Sequence, residues 1–521
     1  MKYFVLIGIF LFLIVLAHGQ EVSVVYARDF GAIPNDGKDD AVALRSAVLA
    51  AKEKTPARVV LEKGVYDLIE TDEHGAFVSF DNTQNLEFDG TGATLRTHKA
   101  AVVLRAVKSK EISLTGFEIE RTQLPFAGAK ITASRAGSFD CKIVEPYQIQ
   151  EGARPQAIIA YDPKKGHMGA GFDVYQLDID QPIKKLSKST MRVPLKFPKL
   201  VAPEGIFVIV RYEVYGPMAI LFEHCENIAV SNVRLFSHGG MGIHITQTDG
   251  IRIDRVRVAP RDAKTWMSIT ADAIHLKSNR GRIDITHCEF EKMGDDAVNV
   301  NQGYWVVTQK PDAKTVRVKY GYELDHLPAQ LLPREGDSAQ FPAEDNWLRP
   351  AFLLKIAQII PEHETRTALI RFEEDLPSHV TTGIPLANAS SNPVITIKNC
   401  TVRNNRARGF LIKTDRALIE NCTFESITLP AILLENDITR WFEGVAVRDL
   451  EIKNCTFKNC DFWNQGRAAI LDAPAFPPTA PAQGHINTRA KIENCSFKDC
   501  GKDPIQLRHT QTVETLKNKF L

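Results

Sequence analysis

The sequence predicts an all-β chain wound as a right-handed parallel β-helix, with an N-terminal helical cap and inserted antiparallel, barrel-like β modules. Three observations lead there. A strand-and-turn string, I-x-N-C-x-F/V, recurs along the second half of the chain. A second string, x-[G/A]-apolar-x-apolar, recurs alongside it. Two long stretches alternate like strands but lack the first signature. Self-similarity at a period of a few tens of residues marks a solenoid.

The chain opens on MKYFVLIGIFLFLIVLAHGQ, residues 1–20: one lysine, an apolar run from Tyr3 to Ala17, then the small-x-small site Ala17-His18-Gly19. That order predicts a signal peptide over residues 1–19, removed near Gly19 on export to the periplasm or the extracellular space. A retained anchor is the alternative, but the run is short for a span of about 20 residues. No comparable run follows, so no membrane association is expected after cleavage.

The rest of the chain exceeds one compact core, which leaves several domains or a repeat solenoid. Lysine plus arginine number 64 and aspartate plus glutamate 63, a balance that argues against nucleic acid or a tracked polyanion as partner. A neutral glycan fits better. Homo-oligomerisation is left open. Nine cysteines in an exported chain first suggest disulfides, but their placement in the repeats argues otherwise.

Residues 29–48, DFGAIPNDGKDDAVALRSAV, predict a turn and then an amphipathic helix able to cover the open end of a solenoid. Residues 59–68, VVLEKGVYDL, read as the first strand. This opening resembles the cap of the pectate-lyase-like β-helix superfamily. NIAVSNVRL (227–235) and GIRIDRVRV (250–258) are further alternating strands, 23 residues apart.

The first string appears as ITHCEF (285–290), IKNCTV (397–402), IENCTF (419–424), IKNCTF (452–457) and IENCSF (492–497). Cys400, Cys422, Cys455 and Cys495 are spaced by 22, 33 and 40 residues, which fits constant strands with loops of variable length. Stacked coils lie about 4.8 Å apart. Cys288, Cys400, Cys422, Cys455 and Cys495 are then a buried column of small apolar side chains, with stacked disulfides as the alternative. Asn399, Asn421, Asn454 and Asn494 would bond along the axis, which explains their N-x-S/T sequons without glycosylation. Residues 137–216 and 304–392 break the period and read as inserted β modules. The expected division is 20–136 for the capped N-terminal coils, 217–303 for the middle coils and 393–521 for the last.

The second string aligns MGIHI (241–245), DAIHL (272–276), DAVNV (296–300), RGFLI (408–412) and PAILL (430–434). Its apolar positions point inward, its fourth residue outward, and its first sits at a corner. Asp272 and Asp296 then share one column in consecutive coils, Asp295 adjoins Asp296, and Arg408 continues the column. His244, His275 and Asn299 line the outward column beside it. Two carboxylates about 5 Å apart repel by roughly 3 kcal/mol at an effective dielectric near 20, or about two pKa units. One should keep its proton while another is ionised, the asymmetry that glycosidic hydrolysis needs. An Asp-Asp turn pair or a calcium site is the alternative. Trp441 and Glu443, in TRWFEG (439–444), read as an aromatic platform and a hydroxyl acceptor, and His275, Asn299 and Arg408 as further sugar-binding candidates.

The blocks TADAIHLKSNRGRIDITHCEFEKMGDDAVNVNQGYW (270–305) and RARGFLIKTDRALIENCTFESITLPAILLENDITRWFEG (406–444) resemble glycoside hydrolase family 110, the α-1,3-galactosidases. The resemblance runs from the cap to the last coils, and A-D-A-x-H and D-D-A-x-N-V are its most specific parts. It implies that Asp272, Asp295 and Asp296 are the catalytic cluster of an inverting, metal-independent hydrolase with no cofactor, releasing terminal α-1,3-linked galactose. By analogy with β-helix polysaccharide hydrolases Asp295 is the acid, while Asp272 and Asp296 hold the attacking water, an arrangement expected to separate acid and base widely. Two positions depart from the family pattern: Ile274 stands for Thr and Asn301 for His. A hydrolase or lyase acting on a galacturonan or carrageenan, and a non-catalytic glycan-binding solenoid, remain the alternatives.

Overall fold

The computed structural model describes residues 21–320, 332–362, 364–464 and 468–521; the expected signal peptide lies outside them. Three long parallel sheets, of twelve, eleven and ten strands, run along the molecule, the third carrying one further short antiparallel strand, and the chain visits them in rotation. One coil passes through Arg280–Thr286 in the first sheet, Glu289–Glu291 in the second and Val298–Gly303 in the third. Among the described residues no helix is long and apolar enough to cross a membrane.

The N-C-x-F string forms the corner between the first and second sheets. Asn399, Asn421, Asn454 and Asn494 sit there with φ of 55–56°, and His287 takes the same place with φ 54°. Asparagine tolerates this left-handed conformation better than most residues, a reason for the repeat that its spacing does not reveal. The amides also bond along the axis, Asn421 to Asn399 at 3.2 Å and Asn494 to Asn454 at 2.7 Å. The following cysteine turns inward, and all nine cysteines are buried free thiols. The S–H of Cys400 donates to the carbonyl of Lys398, and that of Cys455 to Lys453, so each thiol is satisfied within its own corner. Phe424, Phe457, Phe497 and Phe520 stack at 5.1, 4.8 and 5.3 Å, contributing about 0.5–1.5 kcal/mol per pair beyond burial.

The single described α-helix, Ala41–Lys52, covers the N-terminal end and buries Ala41, Leu44, Ala47, Val48 and Ala51. Asp40 ties it down by accepting the amides of Ile33 and Asp67 at 2.9 and 3.0 Å. The first strand is Ser23–Tyr26, not the stretch 59–68. That stretch is cut in two, its first residues ending Ala57–Val60 in the first sheet and its last forming Gly64–Leu68 in the second. The break falls where Gly64 takes φ 138° against Pro34 and Asn35, a contact no Cβ would permit.

Both insertions are antiparallel and carry cores of their own. The first, between Phe126 and Arg211, is an open seven-stranded sheet; the second, between Trp305 and Asn388, is a closed six-stranded barrel. The solenoid continues across each. Val102–Val107 pairs directly with Ile220–Glu223, and Val298–Gly303 with Phe410–Ile412. Each insertion is therefore a bulge on one coil: the second leaves at the far end of a third-sheet strand, on the way back to the first sheet, and the first emerges at the corner that leads into the third sheet.

Candidate active site

Asp272 and Asp296 stand at that corner, just ahead of the strands Ile274–Lys277 and Val298–Gly303. The strands are neighbours, with Ile274 opposite Val298 and His275 opposite Asn299. Small Ala273 and Ala297 let the backbones turn closely, and the Ala273 amide donates to the Asp296 carbonyl at 2.9 Å. Oδ1 of Asp272 accepts the Asp296 amide at 3.0 Å, and Oδ1 of Asp296 accepts the Arg408 amide at 3.1 Å. Each carboxylate thus caps the amide one coil further on.

Asp295 completes the group, and one oxygen from each of the three acids lies within 4.8 Å of the others. This is tighter than the wide separation expected for an inverting pair, about 6.5–9.5 Å. The cause is register: Asp272 is one coil spacing from Asp296, and Asp295 is its chain neighbour. Such a group could also hold a cation, but two arginines already bring positive charge to it. Arg406 lies 3.4 Å from Asp295, and Arg408 3.3 Å from Asp296.

The three acids are almost withdrawn from solvent, at 4, 9 and 1% exposure for Asp272, Asp295 and Asp296. Burial, reinforced by the Asp295 carboxylate and opposed by His275, raises Asp272 above the ordinary carboxylate range. Burial likewise pushes Asp296 up to about 7, with Arg408 working against it and Asp295 and Asp272 adding to it. The group therefore retains a proton near neutrality.

The sugar-binding candidates fall into two sets. His275 donates from Nδ1 to Asp272 Oδ2 at 2.7 Å, because Asn301 donates to its Nε2 at 3.2 Å and fixes the tautomer. Asn301 also donates to Asn299 at 3.0 Å. Arg408 continues the corner column, but its guanidinium is engaged by Asp296 and by Glu435 at 3.6 Å. Glu443 and Trp441 arrive from a loop folded around Asp437, whose carboxylate accepts the amides of Thr439, Arg440 and Trp441. Glu443 then pairs with Gly303 alongside the site strand. Its carboxylate meets Lys413 Nζ at 2.7 Å and Lys277 Nζ at 3.8 Å. Burial opposes ionisation, yet Lys413, Lys277 and His275 hold it down to about 2. Trp441 stands edge-on to Tyr215 at 6.4 Å.

Several residues near the acids escaped the sequence reading. Tyr175 and Tyr215 donate their hydroxyls to Asp295 Oδ2 at 3.0 and 3.2 Å. Arg406 donates to the Tyr175 hydroxyl at 2.8 Å and to Asp173 at 2.9 Å. Only Arg406 left a signal, as the outer arginine of R-A-R-G, two residues before Arg408. On the outward face of the third sheet, both ring nitrogens of His244, Thr246 Oγ1 and Asn301 Oδ1 are buried and have no hydrogen-bond partner among the described residues. His244 packs edge-on against His275 at 5.2 Å, and burial keeps its imidazole well below the usual range, hence neutral.

Residues 382–521 match the family described as "Right handed beta helix region". Over 92% of its length the chain is 25% identical to an α-1,3-galactosidase A of Bacteroides fragilis, covering 84% of that protein. Over 96% it is 25% identical to an α-1,3-galactosidase B of Akkermansia muciniphila, covering 67% of it. This chain is a relative of the α-1,3-galactosidases. Among solved structures it resembles an exopolygalacturonase from Thermotoga maritima, with a TM-score of 0.44 and 10% identity over 92% of this chain and 82% of that one. The two departures from the α-1,3-galactosidase pattern fall in different environments. Ile274 points into the solenoid core, wholly buried, whereas Asn301 donates to His275.

Proposed function

We propose that the chain is an exported glycoside hydrolase that removes terminal α-1,3-linked galactose from glycans, with inversion at the anomeric carbon. The observation that carries the reading is the corner of Asp272, Asp295 and Asp296, which keeps a proton near neutrality beside a polar sheet face. The names of the curated relatives support galactose as the sugar released. The unpartnered atoms of His244, Thr246 and Asn301 suit sugar hydroxyls, which both donate and accept, since buried polar atoms are rarely left without a partner. His275, Asn299 and the ionised Glu443 extend the same face, and Trp441 offers a ring to the sugar. The test is release of galactose by the purified protein from α-1,3-galactobiose, set against α-1,4- and α-1,6-linked isomers, a β-galactoside and galacturonan. Release from galacturonan alone would overturn the substrate; release from none would favour a glycan-binding solenoid. Export predicts a mature chain beginning near Gln20, read by mass.

Two observations favour a second mechanism for the same reaction. The acids are about as close as the roughly 5–5.5 Å typical of retaining pairs. Asp296, pushed up to about 7, suits a general acid better than a base. Asp295, directed by two tyrosine hydroxyls, would then be the nucleophile. The anomer first released separates the two.

A further inference from the structure

Arg211 is the largest fully buried side chain in the described structure, at 0% exposure. It ends the strand Phe207–Arg211 of the first inserted module, yet its guanidinium lies under the solenoid corner. Nη1 donates to the carbonyl of Thr270 at 3.1 Å and to that of Gly294 at 3.0 Å. Thr270 lies two residues before Asp272, and Gly294 immediately before Asp295. One cation therefore bridges the two turns that present the three acids. Gly294 must be glycine, because a Cβ there would meet the Thr270 carbonyl at 2.2 Å and Arg211 Nη1 at 2.8 Å.

The rest of the arginine rests on Tyr175, from the same module. Its guanidinium lies 4.9 Å from the Tyr175 ring centroid, and that of Arg406 lies 4.6 Å from it. Cation–π contact of this kind is stronger away from water. Arg406 also donates to the Tyr175 hydroxyl and, at 3.2 Å, to the Gly294 carbonyl. The ring is thus gripped by two cations, and its hydroxyl is aimed at Asp295 Oδ2.

We infer that Arg211 and Tyr175 are positioning residues by which the first inserted module sets the geometry of the three acids: Arg211 fixes the spacing of their two turns, and Tyr175 orients Asp295. The inference rests on the reading of those acids as catalytic. It makes the module part of the reaction machinery, where a module serving only to bound the groove could lose either contact without effect on turnover. A displacement of about 1 Å at reacting groups can cost about 100-fold in rate.

The test uses the full chain and α-1,3-galactobiose, with variants Arg211→Met, Arg211→Lys, Tyr175→Phe and Asp296→Asn, each checked by thermal melting. Arg211→Met should lower kcat by about 100-fold with KM within about threefold of the parent. Arg211→Lys, which keeps a cation near both carbonyls, should recover at least tenfold of that loss. Tyr175→Phe keeps the ring and removes one of the donors that direct the Asp295 carboxyl. The acids face Tyr215, Arg406, Arg408 and His275 as well, so activity should persist while one limb of the pH profile moves upward, the alkaline limb with Asp295 as acid and the acid limb with Asp295 as nucleophile. An Arg211→Met protein with parental kcat, or a loss confined to KM, overturns the inference, as does an unmoved profile in Tyr175→Phe. If Arg211→Met fails to fold, the Lys and Phe variants decide it by the same readings. An inactive parent, or an active Asp296→Asn, would instead sink the proposed function.

Discussion

The backbone amide of Asp296 donates to Oδ1 of Asp272 at 3.0 Å, so the second acid's main chain is held by the first acid's side chain. The bond survives when Asp272 is replaced by asparagine, whose carbonyl oxygen accepts it equally well. The charge does not survive. That separation of structure from charge makes the corner testable by isosteric change.

Asp272→Asn and Asp296→Asn should each lower kcat by about 10²–10⁴-fold, the usual share of a proton-transfer group, in proteins that still fold. Asp296→Asn should also be more stable than the parent, increasingly so as pH rises. In the unfolded chain Asp296 ionises near 3.8, whereas in the fold it holds its proton to about 7. Between those values the unfolded state binds fewer protons, so parental stability falls as pH climbs through the window. The asparagine variant has no proton to lose, and its advantage should approach about 4 kcal/mol above pH 7. Thermal melting at pH 4 and pH 7.5 checks this; equal Tm differences at both would refute the shift.

The pH dependence of turnover follows from the same group. An ionisation near 7 should appear in kcat/KM, and Arg408→Gln should move it upward, because the arginine favours the charged form of Asp296. Moving the limb downward would mean that another group titrates there.

Much of this site was legible in the sequence because a solenoid converts sequence period into spatial column. Aligning DAIHL with DAVNV places Asp272 beside Asp296 and His275 beside Asn299, as the strand pairing has it. The column extends to Arg408 across a whole barrel, because the insertion leaves the coil intact. What the period does not carry was not legible. Tyr175 and Arg211 come from an open sheet with no repeat, and reach the acids from positions 120 residues before Asp295 and 59 before Thr270. Coil spacing put the acids roughly 5 Å apart, and their oxygens lie within 4.8 Å; the wide acid–base separation came from the chemistry of inversion, which the period does not carry.

Glu443 offers the opposite case to Asp296, an ionised carboxylate that the fold depends on. Lys413 is buried against it with 1% of its side chain exposed. Glu443→Gln would remove the counter-charge that the Lys413 ammonium meets at 2.7 Å, at a cost of about 3–5 kcal/mol. Denaturant unfolding should show the loss. A variant within 1 kcal/mol of the parent would place the pair in solvent.

The corner asparagines should respond to backbone conformation and hardly at all to lost amide bonds. Asn421→Ala puts a Cβ-bearing residue without local hydrogen bonding at φ 56° and should cost about 1–2 kcal/mol. Asn421→Gly removes the same amide but is at ease there, and should cost less than half as much. Equal losses in the two would mean that the axial bond to Asn399 carries the stability.

The thiol column predicts nine titratable cysteines when the protein is denatured without reductant, matching the nine buried free thiols. Four disulfides would contradict both the column and the coil register built on it.

The stereochemistry of the product decides between the two mechanisms open to the corner. Inversion of an α-linked donor gives β-galactose first; a covalent glycosyl-enzyme formed on Asp295 gives α-galactose. The inverting reading expects the β anomer, with the attacking water held between Asp272 and Asp296, whose carboxylates face each other across one coil step. Proton NMR in the first minutes, before mutarotation, reads the anomer directly. Activated leaving groups then separate the roles, since only the acid's asparagine variant should recover turnover on an aryl α-galactoside that needs no protonation. Recovery in Asp295→Asn with early β-galactose fits inversion with Asp295 as acid. Early α-galactose with recovery in Asp296→Asn would establish the retaining route. In that case the short span between the three acids, rather than the family resemblance, would have been the better guide to the chemistry.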